Sequence, residues 1–183
     1  MILQEDMEPT LNFEIRRAGL EDVDAITAAH LDSIRSIGAL YYEPRIVSDW
    51  GARVNGELYA KAMARAEVFF MAIEPSGHGE VLGFSSHRIG VDAHRTAVYV
   101  RARATRQGIG SALFRTAEAA AIAAGATAIH VDASLAAVEF YTANGFEEVG
   151  RGEHRLWSGR SMACVFMQKD LTANAPGRTE RFR

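Results

Sequence analysis

The stretch from Val98 to Gly125 combines a short strand, a basic glycine-rich turn and a helix, and it constrains the fold more than any other part of the chain. Val98-Tyr99-Val100 is apolar, β-branched and aromatic, which is typical of a strand end. After three arginines, Gly108 and Gly110 open an alanine-rich amphipathic segment that stops at Gly125. Glycine lets a backbone approach a ligand closely, and the first N–H groups of a helix lack partners and lie at its positive end. The pattern therefore predicts an anion site, and we expect a diphosphate to occupy it.

Composition limits the possible functions. The chain has 183 residues, enough for one domain with a sizeable core, and its net charge of −3 gives no general attraction to nucleic acid. The single cysteine, Cys164, excludes an internal disulfide and a cysteine-based metal cluster, and the six histidines show no metal-ligand spacing. The acidic N-terminus has no signal-peptide pattern, and no apolar run is long enough to cross a bilayer. We predict a cytoplasmic protein that holds no metal and binds neither nucleic acid nor a membrane.

Hydrophobic periodicity predicts alternating strands and helices in one domain. Strands are predicted at residues 11–16, 67–73, 81–89, in the segment that ends at Val100, and at 128–132, 147–154 and 162–171. Helices are predicted at 21–37, in one or two pieces over 46–66 with a break near Asn55-Gly56, at 108–125, and at 135–144 with Ser134 as N-cap and Gly145 as C-cap. We predict a flexible leader over 1–10, one domain over 11–171 and a mobile tail over 172–183.

Two other phosphate-binding motifs do not fit the glycine turn. A P-loop needs Gly-Lys-Ser/Thr at the start of its helix, but Gly110 is followed directly by Ser111. The dinucleotide-binding fingerprint comes closer, because Gly108 and Gly110 form G-x-G and Asp132 ends the next predicted strand. Its third glycine position is Leu113, however, and a long arginine-rich turn separates the strand from the first glycine. We therefore reject both motifs.

Two motifs follow the predicted strand and basic turn at a characteristic separation. The first is Gly108-Ile109-Gly110-Ser111-Ala112-Leu113, and the second runs from Ser134-Leu135-Ala136-Ala137-Val138-Glu139-Phe140-Tyr141 to Asn144-Gly145-Phe146. Together they resemble the GNAT superfamily of acyl-CoA-dependent N-acyltransferases, and the resemblance covers residues 12–171. Two positions depart from the family's pattern. Thr105 stands where the family has Gln or Arg, and Ala136 stands where it often has Asn.

The resemblance implies an α/β fold of the α+β type. It would have a mixed, mostly antiparallel central sheet, splayed fourth and fifth strands, here ending at Val100 and Asp132, and helices on both faces. It also implies acetyl-CoA as co-substrate. The pantetheine arm would pair with free backbone groups of the fourth strand, and the pyrophosphate would meet the N–H groups of the glycine turn, with Arg101, Arg103 or Arg106 near the remaining phosphate. The residues expected to bind acetyl-CoA are Tyr99, Val100, Arg106, Gln107, Gly108, Ile109, Gly110 and Ser111.

In the family, a free amine attacks the thioester carbonyl directly while both substrates are bound, so orientation and a backbone N–H at the oxyanion supply much of the rate. Tyr141 resembles the tyrosine that serves the leaving thiolate. Full proton transfer from tyrosine (pKa about 10) to an alkyl thiolate (about 8.5) is uphill by about 2 kcal/mol, which favours a hydrogen bond instead. The family's base is often a glutamate early in the fourth strand, or a water relay. At that place this chain has His94, which could accept the proton from the ammonium or from an intervening water, the alternative being a turn histidine exposed to solvent. We predict Tyr141 and His94 as the catalytic residues.

The predicted function is transfer of an acetyl group from acetyl-CoA to a primary amine of a small molecule or a peptide. The alternative is a CoA-binding sensor or interaction module without turnover, which Thr105 and Ala136 leave open and Tyr141 argues against. The residue patterns specify neither the acceptor nor whether the protein is a monomer or a homodimer. The side chains that could line an acceptor pocket are His30, Glu43, His154, Tyr41, Tyr42, Trp50 and Trp157.

Overall fold

A computed structural model of the chain describes residues 12–75, 79–89 and 93–172. The predicted leader, and all of the predicted tail except Thr172, lie outside these residues. The strands are β1 Glu14–Arg17, β2 Val68–Ile73, β3 Val81–Ile89, β4 His94–Val100, β5 Ala128–Ser134, β6 Glu147–Arg155 and β7 Ser161–Asp170. The α-helices are α1 Val23–Ser36, α2 Pro44–Gly51, α3 Gly56–Ala64, α4 Ile109–Ala123 and α5 Val138–Ala143. Within this part of the chain, no helix is both long enough and apolar enough to cross a membrane.

The strands form one mixed sheet in the order β1-β2-β3-β4-β5-β7-β6. Every neighbouring pair is antiparallel except β4 and β5, which are parallel. These two strands pair only at His94↔Ile129 and Arg95↔His130, near the start of each strand. Beyond those pairs they separate and leave a gap in the middle of the sheet. This arrangement confirms the predicted splay of the fourth and fifth strands.

Helices cover both faces of the sheet, as predicted. On one face, α1 and α3 pack against Phe69, Met71 and Phe84. On the other face, α4 packs against Ala72 and Leu82, and its C-terminal half also covers β5 and β7. Because alternate residues of a strand point to opposite faces, the continuous apolar run of β2 serves both cores.

The structure corrects the prediction at Ser134. Strand β5 extends two residues further than predicted, because Ser134 still pairs with Cys164 of β7. A 3₁₀ turn, Leu135–Ala137, then precedes α5, and the Ser134 side chain caps neither element. The Tyr42 hydroxyl takes over part of that role, since it accepts a hydrogen bond from the Leu135 amide (2.7 Å) and donates one to the Ala163 carbonyl oxygen (2.7 Å).

Candidate active site

The N-terminus of α4 presents unpaired backbone donors. Arg106 (φ 63°) and Gly108 (φ 78°) both adopt left-handed backbone conformations, which turn the chain sharply from β4 into the helix. No side chain caps the helix at Gly108, and the first intrahelical bond that starts from that residue is donated by the Ala112 amide (3.0 Å). The preceding amides, from Ile109 to Ser111, have no acceptor inside the helix. The turn therefore has the geometry of an anion site.

Close packing explains why glycine occupies position 110. A Cβ atom there would lie 3.0 Å from Phe140 Cε2 and 3.5 Å from Val100 Cγ2. The first turn of α4 thus lies directly against β4 and α5. A side chain at this position would require the Phe140 ring to shift, whereas the distance to Val100 is an ordinary van der Waals contact.

The three arginines before the turn have different roles in the structure. Arg101 Nε donates to the Val81 carbonyl oxygen (2.7 Å) and also pairs with Glu80 (3.2 Å). Arg103 pairs with Glu80 (2.7 Å) and with Glu74 (3.2 Å). Arg106 is exposed, borders the cavity described below, and forms no ion pair with any residue that the structure describes. Of the three, Arg106 is therefore the one available to a bound anion.

The backbone of β4 offers further unpaired groups to the gap. Since the Arg101 amide donates to Leu82 of β3, the odd-numbered residues of β4 direct their backbone groups toward β3. Tyr99 consequently pairs with Phe84, and only its ring reaches the cavity. Val98 and Val100 instead direct their backbone groups into the gap, beyond the last pair with β5. Of the two predicted strand contacts, Val100 thus offers its backbone and Tyr99 only its side chain.

Tyr141 of α5 reaches across the gap to β4. Its hydroxyl oxygen accepts a hydrogen bond from the Val98 amide (3.1 Å), and only 2% of the residue is exposed. Burial raises the pKa of the phenol above its usual value, so the hydroxyl stays protonated. Because the amide already donates to the oxygen, the hydroxyl hydrogen is available to donate to another group in the gap.

His94 lies at the start of β4, where that strand still pairs with β5. Its ring stacks on His87 (centroids 5.3 Å apart, planes 1° apart), with His94 Nδ1 3.0 Å from His87 Nε2. Burial, followed by the neighbouring His94, lowers the pKa of His87. The structure brings Tyr141 and six of the eight residues predicted to bind acetyl-CoA to one cavity, whereas Gln107, Ile109 and His94 are not among the residues that line it.

A cavity of about 950 Å³ continues from the α4 turn through the gap to the space between the sheet and helices α1 to α3. The aromatic residues that line its inner end are His30, Trp50, Tyr59, Phe84 and Tyr99. His30 is 8% exposed, its Nδ1 lies 2.5 Å from the Tyr59 hydroxyl, and its ring centroid lies 3.8 Å from that of Tyr99. Its Nε2 has no hydrogen-bond partner among the described residues. Burial lowers the pKa of His30 to about 3, so the imidazole is neutral.

Charged residues line the same cavity where β3 ends and β4 begins. They are Glu67, Arg88, Arg95 and Asp132, with His154 of β6 nearby. The sequence analysis missed Glu67 and Arg88. The available signal for Arg88 was an arginine close to the end of the strand predicted over 81–89.

The other predicted pocket residues divide into two groups. Tyr41, Trp50 and His154 line the cavity. Glu43 pairs instead with Arg45 at the surface, and Trp157 is 74% exposed and lies 4.2 Å from the Arg53 guanidinium. In the described part of the chain, no three or more His, Cys, Asp or Glu side chains cluster as metal ligands would.

Comparison with known proteins gives one family. Residues 65–148 match the acetyltransferase (GNAT) domain, whereas no curated protein matches the sequence. Among solved structures, the chain is similar to a GCN5-related N-acetyltransferase from Rhodopseudomonas palustris, with 26% identity and a TM-score of 0.75 over 86% of this chain and 95% of that one. It is also similar to PaiA N-acetyltransferase from Thermoplasma acidophilum in complex with coenzyme A (18% identity, TM-score 0.69, 87% and 99% of the two chains). A third similar structure is YncA from Salmonella typhimurium with acetyl-CoA (19%, 0.65, 92% and 99%).

The family match covers the segment that contains the gap, the glycine turn and Tyr141. The fold of the similar structures extends over most of the remaining chain. The unpaired amides at the start of α4 and the unpaired backbone groups of β4 fit a ligand with a diphosphate and an extended amide arm. The match to the acetyltransferase (GNAT) domain over residues 65–148 and the similarity to solved GNAT N-acetyltransferases together support an acetyl-CoA-dependent acetyltransferase.

Proposed function

We propose that the chain transfers an acetyl group from acetyl-CoA to a primary amine, by direct attack of the amine while both substrates are bound. The observation that carries this proposal is one continuous cavity. It connects the α4 turn, the Val98–Tyr141 pair in the gap, and the space between the sheet and helices α1 to α3. Two substrates that enter such a cavity from its two ends would meet at Tyr141, where orientation alone removes much of the barrier.

The anion site and the gap are proposed to hold the donor. Backbone N–H groups of the glycine turn would bind the diphosphate, Arg106 would contact a phosphate, and the Val100 backbone would pair with the pantetheine arm. The full set of proposed cofactor-binding residues is Tyr99, Val100, Arg106, Gln107, Gly108, Ile109, Gly110 and Ser111. Acetyl-CoA supplies the activated acyl group when it is bound.

Tyr141 is proposed to stabilise the leaving sulfur. Its raised pKa makes complete proton transfer to a thiolate unfavourable, whereas a hydrogen bond from the free hydroxyl hydrogen does not require that transfer. The Val98 amide holds the hydroxyl oxygen and so directs the hydrogen away from β4. The residue thus acts as a hydrogen-bond donor that is oriented before the substrates bind.

The role of His94 in removing the proton from the amine remains a prediction. Its ring faces His87 instead of the cavity, so a proton would have to reach it through water or another side chain. The carboxylates that border the cavity directly are Glu67 and Asp132, together with Glu139 of α5. A water relay to any of these groups is compatible with the geometry.

Acceptor-dependent release of free CoA thiol tests the proposal. The purified chain is mixed with acetyl-CoA and a panel of amines and peptides, and thiol is measured against a reaction without acceptor. We expect at least one amine to give saturable release. If acetyl-CoA binds in calorimetry but no amine releases thiol, the chain is instead a CoA-binding sensor. That second candidate is favoured by the loss of polar contacts at Ala136 and by Thr105, whose hydroxyl bonds locally to the Ala102 carbonyl oxygen (2.8 Å).

Replacing Arg106 by glutamine should weaken acetyl-CoA binding about 10-fold, since a charge-assisted contact to phosphate contributes about 1.5 kcal/mol. Arg103→Gln is the matched control. It removes the same charge three residues away, but that arginine is held by Glu74 and Glu80. We expect Arg103→Gln to change the calorimetric affinity less than 3-fold. An equal loss of acetyl-CoA affinity in the two variants would show that both arginines act only through the overall electrostatic field of the protein.

The cellular location, the class of acceptor and the oligomeric state are proposed from the sequence. A single cysteine, which is buried and free in the structure, suits a reducing compartment, so we propose a cytoplasmic location. We propose a small molecule or a peptide as acceptor and a monomer or homodimer as the working form.

A further inference from the structure

Two arginines that line the cavity lie directly opposite each other in the sheet. Arg88 of β3 pairs in register with Arg95 of β4, and both line the cavity. Their side chains project from the same face as Phe84 and Tyr99, because the register alternates along the two strands. Like charges directly opposite on neighbouring strands are destabilising. Asp132 offsets part of this repulsion through its ion pair with Arg95, and a bound anion beside Arg88 would offset the rest.

The two guanidinium groups have different partners. Arg95 forms an ion pair with Asp132 of β5 (3.0 Å), which occupies one of its nitrogen atoms. Arg88 is exposed and has no ion pair or hydrogen bond with any residue in the described ranges. Glu67 also lines the cavity, but it forms no ion pair with Arg88. Among the residues that the structure describes, none therefore occupies the planar set of donors of Arg88.

The distance from the arginines to the reaction centre suits a small acceptor. Val98 lies three positions after Arg95 in β4, which corresponds to about 10 Å along the strand. An arginine side chain and a small molecule with adjacent amine and acidic groups can together span that distance. The aromatic inner wall, with Trp50, Tyr59 and Tyr99, would cover the apolar remainder of such a molecule.

We propose that the acceptor is an amine that also carries a carboxylate, of the α-amino acid class with an apolar or aromatic side chain. Arg88, assisted by Arg95, binds the carboxylate and holds the amine toward the gap. This inference rests on the proposed acetyl transfer. In that reaction the amine nitrogen bonds to the acetyl carbonyl carbon, the carbon–sulfur bond breaks, one proton leaves the nitrogen, and coenzyme A departs as the thiol. The carboxylate is unchanged and serves only for binding.

Matched acceptors test the proposal with the full chain. Phenylalanine, leucine and methionine are compared with the amines that lack their carboxylates, namely phenethylamine, 3-methylbutylamine and 3-(methylthio)propylamine. We expect kcat/KM for at least one amino acid to exceed that of its decarboxylated partner by 10-fold or more. Arg88→Gln should raise the KM for that amino acid 10- to 100-fold, with kcat changed less than 3-fold and the KM for acetyl-CoA unchanged.

Arg115→Gln is the control, because Arg115 lies on α4, is exposed and does not line the cavity. It should leave the KM for every acceptor unchanged. The proposal is overturned if the decarboxylated amines react as well as the amino acids, or if Arg88→Gln affects both members of a pair equally. In either case the acetyl transfer itself stands. If no amine in the wider panel releases thiol, the proposed transfer fails, and this inference fails with it.

Discussion

Replacing Ser111 by glutamate is expected to weaken acetyl-CoA binding about 100-fold without destabilising the fold. Ser111 is the third residue of α4 and borders the cavity. A carboxylate in the first turn of a helix interacts favourably with the helix dipole, by about 0.3–1 kcal/mol. The same charge would repel a diphosphate that binds the neighbouring amides, and a 100-fold loss corresponds to about 2.8 kcal/mol. Stability and cofactor affinity should therefore change in opposite directions.

Calorimetric titration with acetyl-CoA and thermal unfolding of the same preparations measure the two effects. Ser111→Gln is the matched control, since it has the same shape as the glutamate variant without the charge, and it should lose less than 10-fold in affinity. If Ser111→Glu binds acetyl-CoA like the unsubstituted chain, the diphosphate does not lie at the start of α4. The whole orientation of the donor in the cavity would then have to be abandoned.

Tyr141→Phe is expected to lower kcat about 10-fold or more and to leave the affinity for acetyl-CoA nearly unchanged. The substitution removes the only hydroxyl that the structure places at the Val98 amide, while the ring keeps its packing against Phe140 and Phe146. A group that stabilises developing charge on sulfur acts in the transition state, so its loss appears in kcat and not in substrate binding.

Steady-state kinetics over a range of pH values test this second expectation. Tyr42→Phe serves as the control, because it also removes one phenolic oxygen, but that oxygen bridges Leu135 and Ala163 outside the cavity lining. We expect Tyr42→Phe to lower the thermal unfolding temperature and to leave kcat nearly unchanged. An unchanged kcat for Tyr141→Phe would remove this residue from the mechanism.

Much of the fold could be predicted because local patterns and the family resemblance agree. The glycine turn, the helix after it and the break at Asn55 have strong local signals, and the Asn55 side chain indeed accepts a hydrogen bond from the Leu58 amide (3.0 Å). The error at Ser134 has a tertiary cause. A serine before a helical segment favours an N-cap, but pairing with β7 keeps the residue in the strand.

The site was harder to predict because it depends on strand register. Local sequence places His94 early in β4, yet only the pairing with β3 shows that its ring meets His87. The three turn arginines look alike in sequence. They differ because residues about 20 or more positions away bind two of them, Glu74 and Glu80 at Arg103, and Val81 and Glu80 at Arg101. The opposition of Arg88 and Arg95 likewise follows from register alone.

The two-pair contact between β4 and β5 has a mechanical consequence. It divides the sheet into a four-strand half and a three-strand half that share few main-chain bonds. A small rotation of one half against the other would widen or narrow the seam while each half keeps its own ladder intact. Helix α4 packs against strands of both halves, so any such rotation would also have to shift this helix against the sheet.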